Sequence, residues 1–236
     1  MRLNIVIPSY NEEQRLPKTL NALADFRKMF VQRGIEFRVY IVNDGSKDRT
    51  AQVASVLIEQ LQLPAKILEY GENRGKGGAV KFGMLNSEPA DYYYLADADL
   101  SADWTQCLVL LDKIDGYDAA IGSRVANGAK VETVFSRKFS GRLSNLLIKL
   151  VLGLKYGDTQ CGYKLFKHNC LEVFSMQKIE RFGFDFEILY LMKKLGLKTK
   201  EVGIVWENRE GSKVKPIDYL RTLHQLLKVR FGSYNL

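Results

Sequence analysis

The chain contains no apolar run of the roughly 20 residues that a bilayer-spanning helix needs. A signal-peptide pattern is also absent, because a strand-like run, Leu3–Ile7, begins almost at once. Both absences point to folding in the cytoplasm. Cysteine is scarce: Cys107, Cys161 and Cys170 match no metal-ligand spacing and no disulfide framework, which suits a reducing compartment. The two histidines, His168 and His224, have no companion that would make a catalytic pair. No Gly-x-x-x-x-Gly-Lys-Ser/Thr loop is present, and no Gly-x-Gly-x-x-Gly follows the first strand-like run. The signatures of P-loop and dinucleotide-binding proteins are therefore missing. Internal repeats, low-complexity tracts and linkers are missing too. So is any helix-turn-helix or aromatic RNA-binding signature that would direct a net charge of +8 toward nucleic acid.

What remains is an ordinary globular composition, with 46% hydrophobic and 26% charged residues in 236. The first 125 residues alternate in pattern. Strand-like runs cover Leu3–Ile7, Phe37–Asn43, Lys66–Tyr70, Asp91–Ala96 and Ala119–Ser123. Helical patterns cover Glu12–Gln32, Asp48–Leu61, Lys76–Asn86 and Asp103–Ile114. This alternation predicts βαβ units and a mainly parallel, Rossmann-like sheet flanked by helices, in one α/β domain spanning residues 1–236.

Composition shifts after Ser123. From there to His168 stand Arg124, Lys130, Arg137, Lys138, Arg142, Lys149, Lys155, Lys164 and Lys167, opposed only by Glu132 and Asp158. Most of the net charge sits in that window, which predicts a phosphate-attracting field or, more plainly, a solvated basic face. Two amphipathic stretches follow. Phe139, Leu143, Leu146, Leu147, Leu150, Val151 and Leu154 fall at helical spacing, and Ile148 and Leu152 widen that face. Leu220, Leu223 and Leu227 make a second stripe beside Arg221, Lys228 and Arg230. Such helices either pack on the sheet or lie in a membrane interface.

The most informative stretch is Tyr92-Tyr93-Tyr94-Leu95-Ala96-Asp97-Ala98-Asp99. In an extended chain residues two apart point the same way. Asp97 and Asp99 would then project together from the carboxyl end of a strand, the edge where open α/β sheets bind ligands. Two aligned carboxylates suit a hard divalent cation that also grips phosphate oxygens. Read alone, so short a motif also suits a capped turn and a solvated loop residue. Two further loops, Pro8-Ser9-Tyr10-Asn11-Glu12-Glu13 and Asn43-Asp44-Gly45-Ser46-Lys47-Asp48, sit at strand carboxyl ends. Asp44 offers an acceptor for a base N–H and Tyr10 a ring to pack on it, though both loops also contain good helix caps. Asn73-Arg74-Gly75-Lys76-Gly77-Gly78 places glycines and two cations before a helix, where backbone N–H groups can approach phosphate.

In this order the motifs resemble the family 2 glycosyltransferases of the glycosyltransferase-A fold. The resemblance is carried by Val6-Ile7-Pro8-Ser9-Tyr10-Asn11-Glu12-Glu13, Val42-Asn43-Asp44-Gly45-Ser46 and Asp97-Ala98-Asp99. Further on, Asn73–Val80, Gly122-Ser123-Arg124, Asp158–Phe166, Phe184-Asp185-Phe186-Glu187 and Glu210-Gly211-Ser212-Lys213 look like the dolichyl-phosphate β-glucosyltransferases, and more loosely the corresponding mannosyltransferases. Two departures stand out. The eukaryotic glucosyl enzymes typically start with a membrane anchor, which does not appear here, and Asp97-Ala98-Asp99-Leu100-Ser101 ends more like the mannosyl enzymes.

The resemblance implies a nucleotide-sugar-binding half (1–122) and an acceptor-binding, membrane-interface half (123–236). It implies a base pocket shaped by Pro8, Tyr10, Glu12 and Asp44, with Arg74 and Lys76 near the diphosphate. Asp97 would hold the ribose or metal, and Asp99 the metal, Mg²⁺ or Mn²⁺. Arg124, Arg137 and Ser140 would grip the acceptor phosphate, with Asp185 or Glu187 near the reaction centre. Helix capping is the plainer role for those last two, and a turn for Asp158. The implied reaction is inverting transfer of a hexose, glucose from UDP-glucose first, to a polyprenyl or dolichyl phosphate at the cytoplasmic membrane face. The alternatives are mannose from GDP-mannose to the same lipid, or transfer to a saccharide hydroxyl. The implied partners are thus the donor, the lipid phosphate and a membrane surface, with no nucleic acid.

Overall fold

The computed structural model describes residues 1–132, 135–208 and 216–234, without the side chains of 132–143 and 216–220. The expected alternation is present as β1 (Arg2–Ser9), α1 (Leu16–Gln32), β2 (Glu36–Asp44), α2 (Thr50–Gln60), β3 (Ala65–Tyr70), α3 (Lys76–Asn86), β4 (Tyr92–Leu95), α4 (Thr105–Lys113) and β5 (Ala119–Ser123). The first helix starts at Leu16 rather than Glu12. Asn11 has a left-handed backbone with φ 51°, which breaks the helical path, and Pro17 then opens the helix where a missing N–H costs nothing.

The second half supplies β6 (Lys130–Glu132), α5 (Phe135–Leu152), β7 (Lys164–Lys167), α6 (Leu171–Met176), α7 (Phe184–Lys194), β8 (Thr199–Gly203), β9 (Val205–Glu207) and α8 (Pro216–Phe231). The main sheet runs β3-β2-β1-β4-β7-β5-β8, and β6 pairs with β9 beside it. Every pairing in the main sheet is parallel except those of β7, which runs antiparallel between β4 and β5. Lys164, the first residue of β7, lies opposite Leu95, the last residue of β4, and Ile121, midway along β5. The loop that precedes β7 therefore arrives at the ligand-binding edge. The sequence pattern does not mark β7, a four-residue Lys-Leu-Phe-Lys stretch without the run of aromatic residues that marks β4.

Alternation along the strands sorts side chains to two apolar layers. Leu3, Ile5, Ile7, Val39 and Ile41 pack with Leu16, Leu20, Leu23 and Leu110 on one face. Val6, Val42, Tyr93 and Phe166 pack with Val80, Phe174, Phe184 and Ile188 on the other. A third cluster joins α5, α7 and α8 through Ile148, Leu152, Phe186, Leu189, Leu226 and Val229. In α5 and α8 the predicted apolar stripe is largely not the buried face. Leu146, Leu147 and Leu150 of α5, and Leu223 and Leu227 of α8, are exposed, as is Phe231. Phe139, Leu143 and Leu220 lie outside the described side chains.

Candidate active site

The site grows from the loops at the carboxyl edge of the sheet. The loop after β1 is stitched to the loop after β2. Lys47 N donates to Asn11 Oδ1 (2.8 Å), Asn11 N to Ser46 Oγ (3.0 Å) and Glu12 N to Thr50 Oγ1 (2.7 Å). Pro8, still within β1, pairs with Val42, and Tyr10 follows half-buried at the same edge. Glu12 is buried, and its carboxylate receives both Nε and Nη2 of Arg15 at 2.6 Å.

Asp44, expected to offer an acceptor to a base, is turned inward. Its carboxylate accepts Tyr70 Oη (2.8 Å), Asn73 Nδ2 (2.8 Å), Arg74 N (2.7 Å) and Gly75 N (2.9 Å). A carboxylate has about four acceptor positions, so Asp44 in this structure organises the loop that carries Arg74. That guanidinium lies 4.9 Å above the Tyr70 ring. The glycines before α3 also serve the chain itself. Gly75 has φ 98°, and a Cβ there would meet Glu180 O at 2.8 Å; one on Gly77 would meet Ile179 O at 2.6 Å. They admit the 179–181 segment against the start of α3, where Gly78 N donates to Glu180 O. The expected phosphate cradle of backbone N–H groups is thus largely occupied by the chain's own acceptors.

β4 ends at Leu95, so Asp97 and Asp99 are not aligned by strand geometry. A turn brings them together instead: Leu100 is left-handed with φ 53°, and Ser101 N donates to Asp99 Oδ1 (2.9 Å). Lys76, the first residue of α3, places its ammonium 2.6 Å from Asp97 Oδ1. Gly162 makes room for that carboxylate, since a Cβ there would stand 2.1 Å from Asp97 Oδ2. Burial, and then the charge of Asp97, push the Asp99 carboxyl above its ordinary range, with Lys76 opposing. Burial alone would lower Lys76, but Asp97, Asp185 and Asp99 hold it firmly protonated.

Asp185 and Glu187 part company. They stand two residues apart on α7, about 200° around its axis. Asp185 turns into the cluster, where burial raises its carboxyl against the pull of Lys164 and Lys76, and it pairs with the fully buried Lys164 ammonium. Glu187 faces the other way and accepts Lys178 N (2.8 Å), Ile179 N (2.8 Å) and Tyr234 Oη (2.7 Å). Glu187 thereby ties down a loop and the C-terminal segment, and of the two carboxylates it is Asp185 that faces the cluster.

Arg124 follows β5 and lies against the loop before β7. Its Nε and Nη2 donate to the two Asp158 oxygens at 2.7 and 3.0 Å, and its guanidinium faces Trp206 at 5.6 Å. Burial would raise Asp158, yet Arg124 holds its carboxyl below the usual range. The same loop is fastened by Glu201, which accepts Gly157 N and Asp158 N, and by Asn145, which accepts Thr159 N and Oγ1. Arg137 and Ser140 lie outside the described side chains, and the Glu210–Lys213 motif outside the described residues. Among the described residues, the cations of the basic window do not share one face. Lys164 is buried in the sheet, and Lys167 lies opposite Tyr92 at the far end of β4. Sequence reasoning missed Lys164, Gly162, Asn145 and Glu201 as site-building residues, because each acts through a partner more than ten positions away. The one available signal was that Lys164 and Gly162 flank Tyr163 inside the quoted Asp158–Phe166 motif.

Residues 4–174 match the family model described as Glycosyl transferase family 2. The dolichyl-phosphate beta-glucosyltransferase of Dictyostelium discoideum is 34% identical over 247 residues, covering 97% of this chain and 74% of the relative. That of Drosophila melanogaster is 36% identical over 231 residues, covering 92% and 70%. Among solved structures, glucosyl-3-phosphoglycerate synthase from Mycobacterium tuberculosis in complex with Mn²⁺ and UDP-glucose superposes with a TM-score of 0.68 at 16% identity, covering 98% of this chain and 79% of that one. At that identity the likeness concerns the fold.

Proposed function

Because the chain belongs to glycosyl transferase family 2, we propose that it moves glucose from UDP-glucose to a dolichyl or polyprenyl phosphate, inverting the anomeric centre, at the cytoplasmic face of a membrane. Its fold is the glycosyltransferase-A fold, a mainly parallel sheet with helices on both faces. The observation that carries the proposal is the gathering of Asp97, Asp99 and Asp185 around Lys76 at the ligand-binding edge of that sheet. The 1–122 part would hold the donor and the 123–236 part the acceptor.

In this reading Pro8, Tyr10 and Glu12 border the base, and Asp44 positions the loop beneath the diphosphate. Among the described residues no group of three or more His, Cys, Asp or Glu could cage a metal. Two hard carboxylates, Asp97 and Asp99, do fit Mg²⁺ or Mn²⁺ of the kind shared with substrate phosphates. Such an ion, when bound, neutralises charge on the departing diphosphate. Arg74 and Lys76 add fixed positive charge at the same place. The acceptor is a phosphate monoester with its second pKa at about 6, so at pH 7 it is mostly ionised and already a nucleophile. It needs orientation more than deprotonation. Arg124, itself fixed by Asp158, supplies a planar donor fork. The phosphate oxygen attacks the anomeric carbon from the face opposite UDP, through an oxocarbenium-like state, and the carbon–oxygen bond to UDP breaks. Asp185 is then an electrostatic floor under Lys76, with no base role required of it.

Incubation with radiolabelled UDP-glucose or GDP-mannose plus polyprenyl phosphate, followed by organic extraction, tests the whole reading. Label is expected in the organic phase from UDP-glucose. Label from GDP-mannose alone would overturn the donor assignment, and label confined to water-soluble saccharide the acceptor assignment.

No helix among the described residues is long and apolar enough to cross a membrane. The outward leucines of α5 and α8 support interfacial contact instead. Leu150 is 72% exposed and Phe231 79%, near the exposed Lys228 and Arg230. Burying one large apolar side chain is worth about 1.5–3 kcal/mol. Leu150→Asp or Phe231→Asp is therefore expected to weaken partitioning onto anionic vesicles by about tenfold or more in a flotation assay. Unchanged flotation of both would remove these helices from the membrane face.

A further inference from the structure

The cluster holds two lysines in contrasting situations. Lys164 is fully buried, donates to Asp185 and to the Cys161 carbonyl, and sits within a strand. Lys76 is about a quarter exposed (25%) at the ligand-binding edge, and its partner Asp97 is equally open (24%). Asp185 already has Lys164 as its counter-ion. Asp97 and Asp99 have Lys76. Without it, two neighbouring carboxylates would face each other uncompensated, which is unfavourable.

We infer that Lys76 is the exchangeable counter-ion of the Asp97–Asp99 pair: it holds the pair when the donor is absent, and yields the pair to a divalent cation as its ammonium passes to the donor diphosphate. The inference rests on the donor site proposed above. Charge balance supports it. Asp97, Asp99 and Asp185 against Lys76 and Lys164 leave the cluster with one net negative charge. A divalent ion arriving alone would have to share Asp97 with an ammonium 2.6 Å away and would leave the cluster positive. A divalent ion arriving with a diphosphate gives the ammonium a new anionic partner. Geometry supports it as well. The Lys76 backbone starts α3 and is fixed on either side, with Gly75 N bonded to Asp44 and Gly78 N to Glu180. Its four-carbon stem can swing while that backbone stays still. The consequence is a coupling between sites: metal alone binds weakly, and metal and nucleotide reinforce each other.

The test is titration of Mn²⁺ alone, followed by the electron paramagnetic resonance signal of the unbound ion, on the wild-type chain and on Lys76→Met. Removing the competing ammonium is expected to tighten Mn²⁺ binding about fivefold in the absence of nucleotide. In the same variant, UDP binding measured calorimetrically with Mn²⁺ present is expected to weaken by a similar factor. Lys76→Arg, which keeps the charge, is expected to retain the weak wild-type affinity for Mn²⁺ alone. Should Lys76→Met unfold, Lys76→Gln carries the same expectation. Equal or weaker Mn²⁺ binding by the neutral variant would overturn the inference while leaving the donor site intact, provided wild type binds UDP with Mn²⁺. Failure of the wild type to bind Mn²⁺ even with UDP would overturn both.

Discussion

Asp99→Ala is expected to lower glucosyl transfer by about 10³-fold with Mg²⁺ or Mn²⁺ present, because a bound metal is worth several kcal/mol of charge stabilisation and each 1.4 kcal/mol is a factor of ten. Asp99 is one of two carboxylates available to share the ion with the donor, and its turn, set by Leu100 and by Ser101 N, aims it at the site. Stability should move the other way. Asp99 is held above its ordinary range by burial and by the charge of Asp97. A carboxyl with a raised folded-state pKa favours the fold at low pH, and that contribution is lost as pH rises through the folded value. At neutral pH the charged group therefore opposes folding, and removing it should leave the melting temperature unchanged or slightly higher. Single-turnover transfer of labelled glucose to polyprenyl phosphate, alongside a thermal melt, separates the two effects. Transfer within tenfold of wild type would remove Asp99 from the metal site.

Lys164→Met is expected to cost about 3–5 kcal/mol, the range found when one partner of a buried ion pair is removed. Lys164 is fully buried and Asp185 is 4% exposed, so water cannot readily replace the lost ammonium, and Lys76 is engaged with Asp97. Against a typical total of about 5–15 kcal/mol, that loss brings the chain close to unfolding. The double variant Lys164→Met/Asp185→Leu is expected to recover most of the stability, since well-packed apolar residues can replace a buried pair at little cost. It should still fail to transfer glucose, because Lys76 has lost the carboxylate beneath it. Urea denaturation of the single and double variants measures the coupling directly. A loss below about 1 kcal/mol in Lys164→Met would show that Asp185 is stabilised by something else.

The two expectations differ in how far they could be read without coordinates. Asp99 was visible in the sequence. A strand-like run followed by Asp-x-Asp, in a chain whose first 125 residues alternate strand and helix, points to a ligand at a sheet edge. Lys164 was not. It appeared as one positive charge among nine, and nothing in its neighbours along the chain announces burial.

The sequence by itself determined the parallel half of the sheet, the helices between its strands, and the acidic and basic residues that crowd its carboxyl edge. The strands and helices follow from local apolar patterns, with periods of two and of about 3.6, and the charged residues are read directly from the chain. Only the tertiary structure decided which of those charged groups meet. The antiparallel insertion of β7 brings Gly162 under Asp97 and Lys164 under Asp185. The half-turn of α7 sends Asp185 into the cluster and Glu187 to Lys178, Ile179 and Tyr234. The packing of residues 179–181 on α3 gives the glycines their purpose. Each of these depends on strand order and on contacts between segments distant in sequence, and local periodicity carries no information about either.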